Sequence, residues 1–131
     1  MKKYEILTKY LLHIKEDNFA YWTKAKTTKE DSLILSYPIY SDMVNQFIND
    51  VYKFEKLNPN MKLNEYRKIL EHNNIKNLEE VNLIDLDGQC IVAMIMCVIR
   101  QERFGDGVIF YYFKHGIIEK WLQRLYEIDN L

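Results

Sequence analysis

The sequence predicts a mainly α fold, a compact helical bundle around a buried central helix at about residues 88–103, with a small β-hairpin at about 19–40. Three observations carry this prediction. The run Cys90-Ile-Val-Ala-Met-Ile-Met-Cys-Val-Ile99 has no polar face, as expected of a helix surrounded by other helices. Segments on both sides of it repeat apolar residues at three-and-four spacing, the period of a helix with one stripe turned to a core. Between Phe19 and Tyr40 that period is lost, and Leu33, Leu35 and Tyr37 alternate with Ile34 and Ser36.

Taken in order, Ile6, Leu7, Tyr10, Leu11 and Ile14 form a stripe that predicts a first helix from Tyr4 to Ile14. The alternating stretch that follows reads as a two-stranded hairpin or an extended arm, interrupted by Pro38, with Thr27 to Asp31 as its polar turn. Ser41 is an N-cap for an amphipathic helix carrying Val44, Phe47, Ile48, Val51, Tyr52 and Phe54, stopped by Asn58-Pro59-Asn60. Leu63, Tyr66, Ile69 and Leu70 predict a shorter helix ending near His72-Asn-Asn74. Leu78 to Leu86 reads as a turn or short helix. Asp85 or Asp87 caps the central helix, and Gly105-Asp106-Gly107 breaks it. Asp106 is expected to cap a segment from Val108 to His115, which Gly116 ends before a last helix from Ile117 to Ile128.

A chain of 131 residues, 48% of them hydrophobic, is long enough to bury a core without disulfides or metals, and a single globular domain over 1–131 is expected. The formal net charge of -1 excludes a strongly basic nucleic-acid footprint and an acidic, DNA-mimicking surface. Cys90 and Cys97 lie seven residues apart on one helix, about 10 Å between Cα atoms, which is too far for a disulfide. Free thiols follow. No apolar stretch after Met1-Lys-Lys has the length of a signal peptide, and the longest apolar run is about half a membrane span, so a cytoplasmic protein is expected.

The candidate site lies just after the central helix. Arg100, Glu102, Arg103 and Asp106 place two cations and two anions within seven residues. In one reading these charges are structural: the arginines complement the helix C-terminus and pair with Glu102 or Asp106. In the other, N–H groups of the helix beginning near Gly107, with Arg100 or Arg103 above them, hold a phosphate or carboxylate. Phe110-Tyr-Tyr-Phe113 adds four consecutive aromatics, which cannot all face inward from one helix, so Tyr111 or Tyr112 is expected at solvent, a groove or a partner. The histidines His13, His72 and His115 have no ligand spacing with the cysteines, no metal site is expected, and no cofactor motif is present.

The segments Tyr4-Glu-Ile-Leu-Thr-Lys-Tyr10, Phe19 with Trp22, Phe47-Ile-Asn-Asp-Val-Tyr52, Ile99-Arg-Gln-Glu-Arg-Phe-Gly-Asp-Gly107, Gly116-Ile-Ile and Trp121-Leu-Gln-Arg-Leu125 together resemble a family named only as domain of unknown function 6508. The resemblance runs the length of the chain and implies a bacterial or phage-type cytosolic protein, with no activity, substrate or catalytic residue to carry over. The expected function is a noncatalytic binding or interaction module whose surface is the Arg100 to Gly107 turn, the Phe110 to Phe113 segment and, as an open alternative, the hairpin arm, with Arg100, Glu102, Arg103, Asp106, Gly107, Tyr111 and Tyr112 as its candidate residues. Its expected partner is a protein or a small anionic ligand, rather than a membrane or nucleic acid. The alternative is a small hydrolase or transferase acting on a phosphate-bearing ligand at the same turn, with an arginine as clamp and Glu102 or Asp106 as acid or base.

Overall fold

The computed structural model describes residues 2–23, 26–27, 33–34 and 36–131, with backbone alone for 26–27 and 33–34. The helices are α1 (Glu5–Thr8), α2 (Asp42–Leu57), α3 (Tyr66–His72), α4 (Gly88–Gln101), α5 (Val108–Lys114) and α6 (Ile117–Asp129). Short strands β1 (Ala20–Trp22), β2 (Lys26–Thr27), β3 (Leu33–Ile34) and β4 (Pro38–Tyr40) form the arm. No helix among the described residues is long and apolar enough to cross a membrane.

α4 is the strut the composition predicts. Ten of its fourteen residues are buried, and its first turn is capped by Asp87, whose carboxylate accepts a hydrogen bond from the Cys90 N–H at 2.9 Å. Each large apolar side chain buried on such a helix contributes roughly 1.5–3 kcal/mol relative to exposure, so α4 anchors every element around it. Gly88, in its first turn, is where the backbone comes closest to a neighbour: a Cβ there would lie 2.0 Å from the Tyr4 hydroxyl oxygen. The Tyr4 ring in turn stacks on Phe54 of α2, centroids 5.6 Å apart, and its backbone N–H donates to Asp129 at the end of α6, 2.9 Å away. One residue thus ties the chain's beginning to α2, α4 and α6.

The first segment departs from the continuous helix predicted over Tyr4 to Ile14. After one α-helical turn it tightens into 3-10 turns at Lys9–Leu12 and Ile14–Glu16. The tighter winding lines up side chains three apart, which directs Leu7 and Tyr10 together into the core. Tyr10 meets Phe47 edge-on at 5.4 Å, and its hydroxyl donates to Asp50 at 2.5 Å. The Ser41 cap forms as expected, its Oγ accepting from the Val44 N–H at 3.2 Å. Asn74, at a left-handed φ of 58°, terminates the α3 region. The stretch from 78 to 86 holds two 3-10 turns, Leu78–Glu80 and Leu83–Asp85.

The arm is an antiparallel ribbon. β1 pairs with β4, placing Tyr21 opposite Ile39 and Ala20 opposite Tyr40, and β2 pairs with β3. Most of the polar turn expected over Thr27 to Asp31, from residue 28 onward, lies outside the described residues. Alternation along a strand sends neighbours to opposite faces. Trp22 and Tyr40 accordingly meet α5, while the opposed pair Tyr21 and Ile39 is exposed to solvent. At the ribbon's root, one Asp17 oxygen accepts from the Phe19 N–H and from the Ser41 hydroxyl, both at 2.7 Å.

Candidate functional site

The turn at 100–107 is organised by Glu102. Its carboxylate reaches forward across the turn to the start of α5, one oxygen accepting from the Gly107 N–H at 2.9 Å and the other from the Ile109 N–H at 2.8 Å. The next N–H, that of Phe110, donates to the Tyr40 hydroxyl at 3.2 Å. Helix N-terminal N–H groups need acceptors, and a carboxylate there also complements the helix dipole. The expected cap, Asp106, does not serve. Gly107 occupies the cap position at φ 93° with no side chain to contribute, and Asp106 is exposed. Reading the residue just before the helix misses Glu102 because the acceptor comes from the end of the preceding helix.

The remaining charges go separate ways. Arg100 lies over the Tyr52 ring, 5.5 Å from its centroid, with its Nε buried and without a hydrogen-bond partner. Arg103 is exposed. Among the described residues the ion pairs are Lys9 with Asp50, Lys68 with Glu65 and Arg124 with Glu127, so the arginines of the turn pair with neither Glu102 nor Asp106. The Tyr40 hydroxyl, beside this turn, has its pKa raised above the ordinary tyrosine value, by burial first and then by the Glu102 and Asp106 carboxylates. It therefore stays neutral as it accepts from α5.

The aromatic run divides as helical geometry requires. Phe113 is buried against Phe47 and Phe19, whereas Tyr112 is half-buried between Tyr111 and Trp121. Tyr111 is 41% exposed, lies 4.3 Å from the His115 ring, and donates its hydroxyl to Glu79 at 2.7 Å. That last bond straps α5 to the turn at Leu78–Glu80.

Sequence reading pointed to the turn and left the arm open, without singling out the residues that complete this surface. Trp22 packs edge-on against Phe110 at 5.7 Å and sits so close to Gly107 that a Cβ there would be 2.7 Å from the indole. Phe104, at the tip of the turn, is 85% exposed, and Tyr21 on the free face of the ribbon is 66% exposed. An apolar ring between Arg103 and Gly105 in a charged turn was the available signal, since nothing in the core needs it.

Chemically, the described residues of this surface offer aromatic faces and a few charges, and among them no nucleophile is joined to a base. The Cys90 thiol is pushed up to about 11 by burial and then by Asp87, and the Cys97 thiol is also raised, by burial, so both stay protonated near neutrality. Among the described residues no group of three or more His, Cys, Asp or Glu side chains is placed to hold a metal ion. Clefts lie elsewhere: about 480 and 370 Å³ between the first 3-10 segment and α6, and two of about 460 Å³ each between the 3-10 segments and α2.

The sequence pattern of the Family of unknown function (DUF6508) matches residues 2–130, nearly the whole chain, and the chain belongs to that family. No curated protein and no solved structure matches it.

Proposed function

From a family that carries no assigned activity, we propose that this chain is a noncatalytic interaction module of a bacterial or phage-type cytoplasm, docking a protein partner through the ribbon, the 100–107 turn and α5. The observation that carries this reading is the exposure of Phe104 and Trp22 at a turn whose helix-start N–H groups are already engaged, with Tyr21 exposed on the other face of the ribbon. Rigid aromatic side chains supply large contact area at low entropic cost and dominate interface hot spots. Arg103 and Asp106 add a charged rim of the kind that sets partner choice.

The enzyme reading has less support. A phosphate at the start of α5 needs the N–H groups that Glu102 and Tyr40 occupy, and Arg100 is turned to Tyr52. The test is affinity capture from the source cell with the full chain. A partner held by the wild type and by Leu57→Ser, but lost with Tyr21→Ser combined with Phe104→Ser, is the expected result. A captured set that ignores the double substitution sinks the proposal.

A further inference from the structure

We propose that α6 and the 3-10 turns flanking it form a self-complementary face that joins a second copy of this chain as a two-fold dimer. No residue of this face belongs to the ribbon, the 100–107 turn or α5, so the dimer stands or falls separately from the interaction surface above.

Two independent features of the face point to the same occupant. The first is shape. Leu12 is 80% exposed, Ile84 73% and Tyr126 51%, far above what isolated core residues show, and all three rim the two clefts beside α6. Those clefts, about 480 and 370 Å³, share Leu11 and Gln123 and so run on from one another. A two-fold contact uses the same patch on both copies and must therefore carry projections and hollows together. This face has both.

The second feature is charge. Lys120, Gln123 and Glu127 are exposed at i, i+3 and i+7 of α6, one side of the helix over two turns. When two copies of α6 cross antiparallel about an axis between Gln123 and Arg124, Lys120 of each copy meets Glu127 of the other. Two opposite-charge pairs form at once, and the Gln123 amide of each copy faces the other's Arg124. That guanidinium contacts Glu127 of its own chain at 3.4 Å, so in the pair each Glu127 is flanked by two cations. A parallel arrangement would instead set Lys120 against Lys120, so the charge order selects the antiparallel pairing. A different partner protein would need neither the matched projections and hollows nor charges spaced to pair with themselves.

The experiment is sedimentation equilibrium of the full chain across the micromolar range. The wild type is expected at twice the chain mass, dissociating on dilution. Lys120→Glu alone and Glu127→Lys alone each turn two attractions into two repulsions and weaken association roughly tenfold or more. The combined Lys120→Glu/Glu127→Lys chain regains the pairing with the signs exchanged, and its dissociation constant returns toward the wild type. Leu12→Asp with Ile84→Asp abolishes the dimer, and because both positions are exposed its far-UV spectrum is unchanged and its melting midpoint matches that of the wild type diluted below the dimer dissociation constant. A wild type that stays monomeric at the highest concentration overturns the proposal. A dimer indifferent to the single and double charge reversals overturns it as well.

Discussion

Replacing Glu102 with alanine removes both acceptors from the start of α5 and leaves the Gly107 and Ile109 N–H groups to water. Hydrogen bonds to a charged group contribute more than neutral ones, and an N-cap replaced by alanine costs typically about 1 kcal/mol. With two N–H groups served by one half-buried carboxylate, the loss is about 2 kcal/mol after allowance for water reaching the turn. For a chain of this size each kcal/mol lowers the melting midpoint by about 3–4 °C, so Glu102→Ala should melt roughly 6–8 °C below the wild type. Glu102→Gln keeps one acceptor oxygen but turns an amide N–H toward the second donor, and should fall about midway. Urea unfolding followed by circular dichroism gives the free energies, and calorimetry the midpoints. Inorganic phosphate should leave the wild-type midpoint unchanged, because the N–H groups it would seek already have an acceptor. An unshifted midpoint for Glu102→Ala, or a phosphate-stabilised wild type, would refute the account of this turn.

Gly88→Ala drives a methyl group into the hydroxyl of buried Tyr4 and should cost about 1–3 kcal/mol by overpacking; neutral unfolding energetics would show that Tyr4 does not lie there. Gly107→Ala combines a left-handed φ of 93° with a Cβ 2.7 Å from the Trp22 indole, a penalty of about 1–2 kcal/mol from the backbone alone. The indole is 41% exposed and can move away, so its fluorescence should shift to the red as it leaves the turn. Stability should also fall in alkali. Burial raises the Tyr10 and Tyr40 hydroxyls above 10.0 and the Cys90 thiol from 9.0 to about 11, so the unfolded chain loses these protons at lower pH than the folded one. Their contribution is whole below about pH 9 and is lost as pH rises through the folded values. Melting midpoints between pH 8 and 11 should decline, less steeply in Tyr40→Phe, and a flat profile would count against the buried setting of these groups.

Most helices were legible because periodicity and punctuation agreed. The apolar run of α4, the Ser41 cap of α2 and the Gly116 stop before α6 are local signals, and the structure follows them. The beginning of the chain was less legible. Its stripe at Leu7, Tyr10 and Ile14 survives, but part of it winds as 3-10 turns, and Tyr10 is held there by Asp50 and Phe47, about forty residues away, contacts that local spacing does not encode. The turn at 100–107 was visible as a cluster of charge, yet what each charge does depends on contacts that sequence spacing does not encode. Arg100 finds Tyr52, Glu102 finds the next helix, and Phe110 finds Tyr40. Trp22 escaped notice because its partner Gly107 is more than eighty residues further along, and a missing side chain leaves no mark in a pattern of apolar residues.

The Asp17 carboxylate holds the outgoing strand at Phe19 and the returning chain at Ser41, the same serine that starts α2. The Ser41 N–H also donates to the Phe19 carbonyl at 2.8 Å, so the arm leaves and re-enters the bundle through a single clasp. Everything beyond that clasp is a loop closed at its base. A change in the length of that loop is expected to leave the Ser41 cap of α2 in place, since closing a longer loop adds little entropy. The arm thus joins the start of α2 through the same few atoms that close its own base, so one carboxylate serves two elements at once.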